Sequence, residues 1–173
     1  MPTEQSTAPI ATNTARSPVT PRRVYRAVAI AESITWSLLI VGMVLKYAAG
    51  LGAAPVLIAG SIHGFVFITY ALLAALIGVN QQWGPVRIVA AVATAVVPYA
   101  TIPFDRHLER RNLLDGDWHR EATGSPRDHV WTRRFLRWLV RHPRTFVALF
   151  ILGVIAIMSA LLLIGPPGGW GAK

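Results

Sequence analysis

Four apolar runs constrain this chain more than any other feature: Ala27–Leu45, Pro55–Val79, Ile88–Phe104 and Thr145–Ile164. A helix needs about 20 predominantly apolar residues to cross a bilayer. A chain of 173 residues with four such runs has little left with which to build a water-facing domain. Charged residues make up 14% of the sequence, against roughly 25% in soluble domains. The reading is an all-α, polytopic protein of the cell membrane.

Other solvents and chemistries are excluded in turn. The chain has no cysteine, which removes disulfides, thiolate zinc sites, iron–sulfur clusters and cysteine nucleophiles. A net charge of +9 would suggest nucleic acid in a soluble protein. Here nearly all the arginines flank apolar spans, where anionic headgroups are the cheaper partner. No nucleophile elbow, phosphate loop or dinucleotide fingerprint is present. In the DGDWH stretch, Asp115, Asp117 and His119 match no metal-ligand spacing and read as a solvated loop. The expectation is therefore no enzyme, no cofactor, no metal site, no catalytic residue and no nucleic-acid partner.

Composition shifts divide the chain into five parts. Residues 1–23 are a disordered tail rich in Thr, Ala, Ser and Pro, a composition that cannot bury a core. Residues 24–105 form a three-helix membrane unit, 106–143 a basic connector, 144–165 a fourth transmembrane helix, and 166–173 a C-terminal tail. Arg22 and Arg23 faintly resemble a twin-arginine export signal. The following run is longer than a 7–15-residue signal core and contains Glu32, so these arginines read as headgroup anchors. The third run is the weak one. It is about 17 residues, or ~26 Å at 1.5 Å per residue, and it holds Pro98 and Pro103. It can cross, or enter and turn back.

The connector from Asp105 to Pro143 holds nine arginines, four histidines and six acids. In its second half Ser125 and Asp128 match a capping box, with Pro126 at the first helical position. Arg133, Arg134, Arg137 and Arg141 share one helical face, and Trp131, Phe135, Trp138 and Leu139 take another. That pattern predicts a helix lying among lipid headgroups.

Charge gives two conflicting orientations. Arginines 16, 22, 23 and 26 precede the first span and Lys46 follows it, which puts the N-terminus in the cytoplasm. With four crossings, a cytoplasmic connector instead collects eleven Lys and Arg against six. Four crossings with the connector inside is the arrangement expected here. A re-entrant third segment would satisfy both ends at once.

Polar residues within the spans supply the candidate site. Glu32 lies in the first run, and His63 and Tyr70 lie one heptad apart in the second, on one helical stripe. A mid-membrane acid costs roughly 2.5–3.5 kcal/mol on insertion scales, so it should be protonated or partnered. Counting 1.5 Å per residue from a tight hairpin, Glu32 and Tyr70 fall level at ~21 and ~22 Å. Arg26 and Arg87 lie on the side from which they can snorkel to Glu32. His63 would face the carbonyl of Thr94 that Pro98 frees. Lys46 and Asp105 close the first and third spans and are expected to pair. Gly60 and Gly64 form a GxxxG step that lets a neighbouring helix approach closely. Either these groups are a polar clasp between helices, or they handle a proton or ligand.

The ordered combination of RAVAIAESITWSLLIVGMVLKYAAG, GSIHGFVFITY and VVPYATIPFDRHL resembles an uncharacterised family of small actinobacterial membrane proteins, domain-of-unknown-function family 3817. The positions that carry it are Arg26, Glu32, Lys46, Tyr47, His63, Gly64, Tyr70, Pro98, Thr101 and Asp105, within about residues 23–110. The resemblance implies a three-helix unit and brings no known activity. A non-catalytic scaffold or accessory subunit, meeting anionic lipid and a membrane-protein partner or second copy, is the expected function. A small transporter or lipid-handling protein using Glu32 and His63 is the alternative.

Overall fold

The computed structural model describes residues 19–119, 134–135, 138–139 and 141–164. Helix α1 runs Pro21–Tyr47. The Thr20 hydroxyl accepts from the Arg23 N–H, and Pro21 fills the first position, where a missing N–H is harmless. Gly50 and Gly52 supply the positive φ values (+68° and +75°) that turn the chain into α2, Ala54–Asn80. The two helices pack along one another as a long hairpin.

The segment that follows α2 does not cross. Helix α3 spans Pro85–Ala93 and continues through one 3₁₀ turn, Thr94–Val96. Those twelve residues reach roughly 18–20 Å, well short of a ~30 Å hydrocarbon core. Val97 is extended, as the residue before a proline is pushed to be, and Tyr99 takes φ +63°. Helix α4, Thr101–Arg110, then runs back along α1. The Thr101 hydroxyl donates to the Ala29 carbonyl, Asp105 meets Arg26, and Glu109 meets Arg22. Each step toward the end of α4 is thus a step toward the start of α1. The third segment is a re-entrant helical hairpin, which corrects the expectation of four crossings.

Helix α5, Pro143–Ile164, packs on α2, with Met158 against Gly64. Gly64 is sixteen residues from the end of α2, and Met158 is fifteen from the start of α5. The start of α5 therefore lies at the face where α1 begins and α2 and α4 end. Among the described residues three helices are long and apolar enough to span: α1, α2 and α5.

The core lies in the half of the unit nearest that face. Tyr25, Ala29, Tyr70, Ala74, Ile77, Ala91, Ala95 and Leu108 are buried there, with Trp83 and Leu114 closing it. Small residues at four of these positions bring the backbones close, which is how helices associate in lipid. Ile30, Ile34, Val41, Leu57 and Ile58 face outward, as a lipid-solvated surface requires.

Candidate functional site

Polar side chains fill the interior of the α1–α4 unit in three tiers. At the rim, Arg22 Nε donates to Glu109 Oε1 at 2.7 Å, and Arg26 pairs with both Glu109 and Asp105, the latter at 3.3 Å. Asp105 is 5% exposed, and its second oxygen has no hydrogen-bond partner. Burial pushes the Asp105 carboxyl above the usual carboxylate range, and the bond to Arg26 offsets only part of this. For Glu109, desolvation acts upward but is outweighed by Arg22 and Arg26, which hold its carboxyl below the ordinary value. The expected pairing of Asp105 with Lys46 is therefore wrong. Asp105 sits at the start of α1 because α4 turns back. Lys46 lies at the other end, its ammonium 4.8 Å from the Tyr47 ring.

The middle tier is a relay of hydroxyls. Tyr25 and Tyr70 meet at 2.8 Å, Tyr70 and Thr94 at 2.9 Å, and Thr94 donates to the Ala91 carbonyl at 2.6 Å. The Tyr70 hydroxyl also has the Ala91 carbonyl as an acceptor at 3.1 Å, so its one proton is directed at Ala91 and Thr94, and Tyr70 accepts from Tyr25. Beside this chain, Ser33 and Thr101 lie 3.2 Å apart and both donate to the Ala29 carbonyl. Four helical segments are thereby stitched together by groups that lipid would leave unsatisfied. Tyr25, Ser33 and Thr101 are the partners that sequence reasoning missed as bonded groups. A Tyr25–Ala29–Glu32–Trp36 stripe was the available signal.

The deepest tier holds Glu32, Thr35, Trp36 and His63. Glu32 is fully buried and His63 is 8% exposed. His63 Nδ1 lies 3.1 Å from the Thr35 hydroxyl, which itself donates to the Glu32 carbonyl at 3.0 Å. In that arrangement Nδ1 carries the imidazole proton. The Glu32 carboxyl reaches only to 3.9 Å from the same nitrogen, beyond hydrogen-bond range, and neither of its oxygens has a partner. The Trp36 ring covers His63 at 4.5 Å between centroids, and its indole N–H donates to the Ala95 carbonyl at 3.1 Å.

Several expected contacts are replaced. Tyr70 bonds Tyr25 and Thr94 rather than Glu32. Arg26 turns to the rim acids, and Glu32 receives no arginine. The carbonyl used near the proline is that of Ala95, taken by Trp36 and not by His63. One cause explains the changed levels. A Cβ on Gly42 would lie 2.9 Å from the Pro55 carbonyl oxygen, so α2 starts level with Gly42, about one turn deeper than Lys46. From that contact Glu32 is ~15 Å along α1 and His63 ~12 Å along α2, and Tyr70 lies a heptad further on.

The glycines also change roles. A Cβ on Gly60 would meet Leu39 at 3.8 Å and one on Gly64 would meet Met158 at 3.7 Å, both ordinary contacts. Close approach occurs instead at Gly42, and at Gly78, where a Cβ would fall 2.7 Å from Ile88 and 3.0 Å from Trp83. Pro98 sits at the tip of the re-entrant turn, exposed. Of the headgroup arginines, Arg134 and Arg141 are exposed, and Arg133 and Arg137 lie outside the described residues, as does most of the predicted 125–142 helix. Phe135 and Trp138 are 6.1 Å apart, and the Leu139 side chain is buried.

Residues 22–110 match the family model described as domain of unknown function (DUF3817). The chain belongs to that family. It is 37% identical over 94 residues to "Putative membrane protein SCO5905" of Streptomyces coelicolor, covering 53% of this chain and 11% of that relative. It is 41% identical over 71 residues to "Uncharacterized membrane protein YdzA" of Bacillus subtilis, covering 41% of this chain and 73% of that relative. The Bacillus relative lies outside the actinobacteria named in the sequence resemblance. No solved structure matches the chain significantly. This DUF3817 chain is a multi-pass membrane protein, and its family unit coincides with α1 through α4.

Proposed function

We propose that this DUF3817 protein is a non-catalytic accessory or scaffold subunit of a membrane complex. The observation that carries the reading is the unit's use at two scales. It matches 11% of one relative and 73% of another, so it behaves as a module, found in a chain little longer than the match and in one many times longer. Its buried polar groups act as a clasp, since the middle tier and the His63–Thr35 contact are spent on holding helices to one another.

Orientation follows from the same reading. Fifteen of the seventeen Lys and Arg residues belong to segments joined to the face where α1 starts, and only Lys46 and Lys173 belong to the other. That face is cytoplasmic by the positive-inside rule, and Arg133, Arg134, Arg137 and Arg141 meet anionic headgroups there. The conflict between the two ends of the sequence disappears once the third segment turns back.

The deciding experiment is a mild-detergent purification of the tagged full chain from its native membrane, read by mass spectrometry. A stoichiometric membrane-protein partner is expected, and a protein that runs alone refutes the reading. A small transporter or lipid-handling protein is the second reading, favoured by the two unpartnered oxygens of buried Glu32. Loss of cellular function in a folded Glu32→Gln variant would put that reading first.

A further inference from the structure

The re-entrant tip stands where lipid cannot solvate it. Along α1, Arg26 and Lys46 are twenty residues apart, or ~30 Å, which is the thickness of the hydrocarbon core. Trp36 lies midway between them, and its indole N–H bonds the Ala95 carbonyl. Ser37, the next residue, meets the Tyr99 hydroxyl at 3.1 Å. The turn between α3 and α4 is therefore at the bilayer midplane. Val96, Val97 and Tyr99 are 64%, 56% and 45% exposed there, and Pro98 is exposed with them.

This backbone is irregular, with Val97 extended and Tyr99 at φ +63°. The Val97 N–H bonds the Thr94 carbonyl, and the Ala100 N–H bonds the Val97 carbonyl. The Tyr99 N–H and the carbonyls of Val96 and Pro98 take no partner among the described residues. Non-helical backbone at membrane depth is tolerated only where protein buries it or water reaches it. Helix α5 packs on α2 at Gly64 and does not supply the missing groups to these atoms.

We infer that residues 96–99 are the docking surface for a transmembrane helix of a larger membrane protein. The inference rests on the accessory reading above and names its contact point. A helix suits the place because a side-chain hydroxyl or carboxamide on an apolar face can both donate to the free carbonyls and accept from the Tyr99 N–H. A larger protein suits it because the Streptomyces relative, "Putative membrane protein SCO5905", matches this chain over only 11% of its own length, so that far more sequence is joined covalently to the matching stretch. Among the described residues the tip presents unpaired backbone at the bilayer centre, so the contact is directional and not a general apolar patch.

The test places a photo-crosslinking amino acid at Val97 of the full chain in its native membrane, with Leu152 on α5, 62% exposed, as the control position. The expected result is one discrete adduct from Val97, mapped by mass spectrometry to a transmembrane helix of another, larger protein, and lipid adducts alone from Leu152. That protein should also co-purify with the wild-type chain and be lost from Val97→Trp, whose yield and thermal stability stay at wild-type levels. A Val97 adduct to a second copy, to the chain itself or to lipid alone overturns the inference. So does reaction of Val97→Cys with a charged, water-soluble thiol reagent, which would mean that water covers the tip. A partner that co-purifies yet crosslinks only from positions other than the tip refutes the docking surface and leaves the accessory reading standing. Absence of any stoichiometric partner refutes the accessory reading itself.

Discussion

Replacing Gly42 and Gly64 separately by alanine gives opposite effects, although both glycines lie inside spanning helices. Alanine in a helix interior is favoured over glycine by roughly 0.5–1 kcal/mol, and both variants gain that term. They differ in what the new methyl meets. At Gly64 it lands 3.7 Å from the flexible end of Met158, a normal contact distance. At Gly42 it lands 2.9 Å from the Pro55 carbonyl oxygen and 3.1 Å from the Ala59 Cβ. Backbone oxygen and helix-fixed Cβ cannot rotate away, so α1 and α2 must separate by several tenths of an ångström. Overpacking of this kind costs about 1–3 kcal/mol. Since the propensity term is common, the difference between the variants should be that whole amount, with Gly64→Ala at or above wild type and Gly42→Ala below it. Reversible unfolding by sodium dodecyl sulfate in mixed micelles, followed by tryptophan fluorescence, measures it. Equal stabilities, or a less stable Gly64→Ala, would refute the packing argument and return the GxxxG step to the role its spacing suggests.

Topology is read by single cysteines in this cysteine-free chain: Ala11→Cys and Gly124→Cys should both resist an impermeant thiol reagent in intact cells, while Leu51→Cys reacts. Labelling of Gly124→Cys alone would restore a third crossing and reverse the connector. At the rim, Glu109 has a lowered folded value, so its stabilisation is present above the ordinary glutamate range and lost as pH falls through the folded value. Asp105 has a raised folded value, so it opposes folding above that value and the opposition is relieved on acidification. Near neutral pH Glu109→Gln should therefore destabilise and Asp105→Asn be neutral or stabilising; the reverse order in thermal unfolding would contradict the assigned environments. Glu32→Gln and His63→Gln should keep near-wild-type yield and cellular function if the deep tier is a clasp, because an amide can serve in either place. Loss of function with the fold intact would instead make proton handling the role of the pair.

The membrane class, the helical content and the family were legible in the chain because each depends on local sequence. Run length against bilayer thickness predicts spans, and the ordered motif from Arg26 to Asp105 carries the family. Glu32 and His63 stood out for the same reason, as ionisable groups among apolar neighbours. What meets what was decided by tertiary structure. The depth at which α2 starts depends on Gly42 admitting the Pro55 carbonyl, a contact that counting from loop ends does not include, and it places Glu32 beside His63 and sends Tyr70 to Tyr25. The path of the third segment was likewise undetermined locally, since Pro98 and a short apolar run suit both a crossing and a turn. Long-range pairing of Asp105 and Glu109 with Arg26 and Arg22 goes with the turn, because these acids reach the start of α1 only if their segment comes back to it.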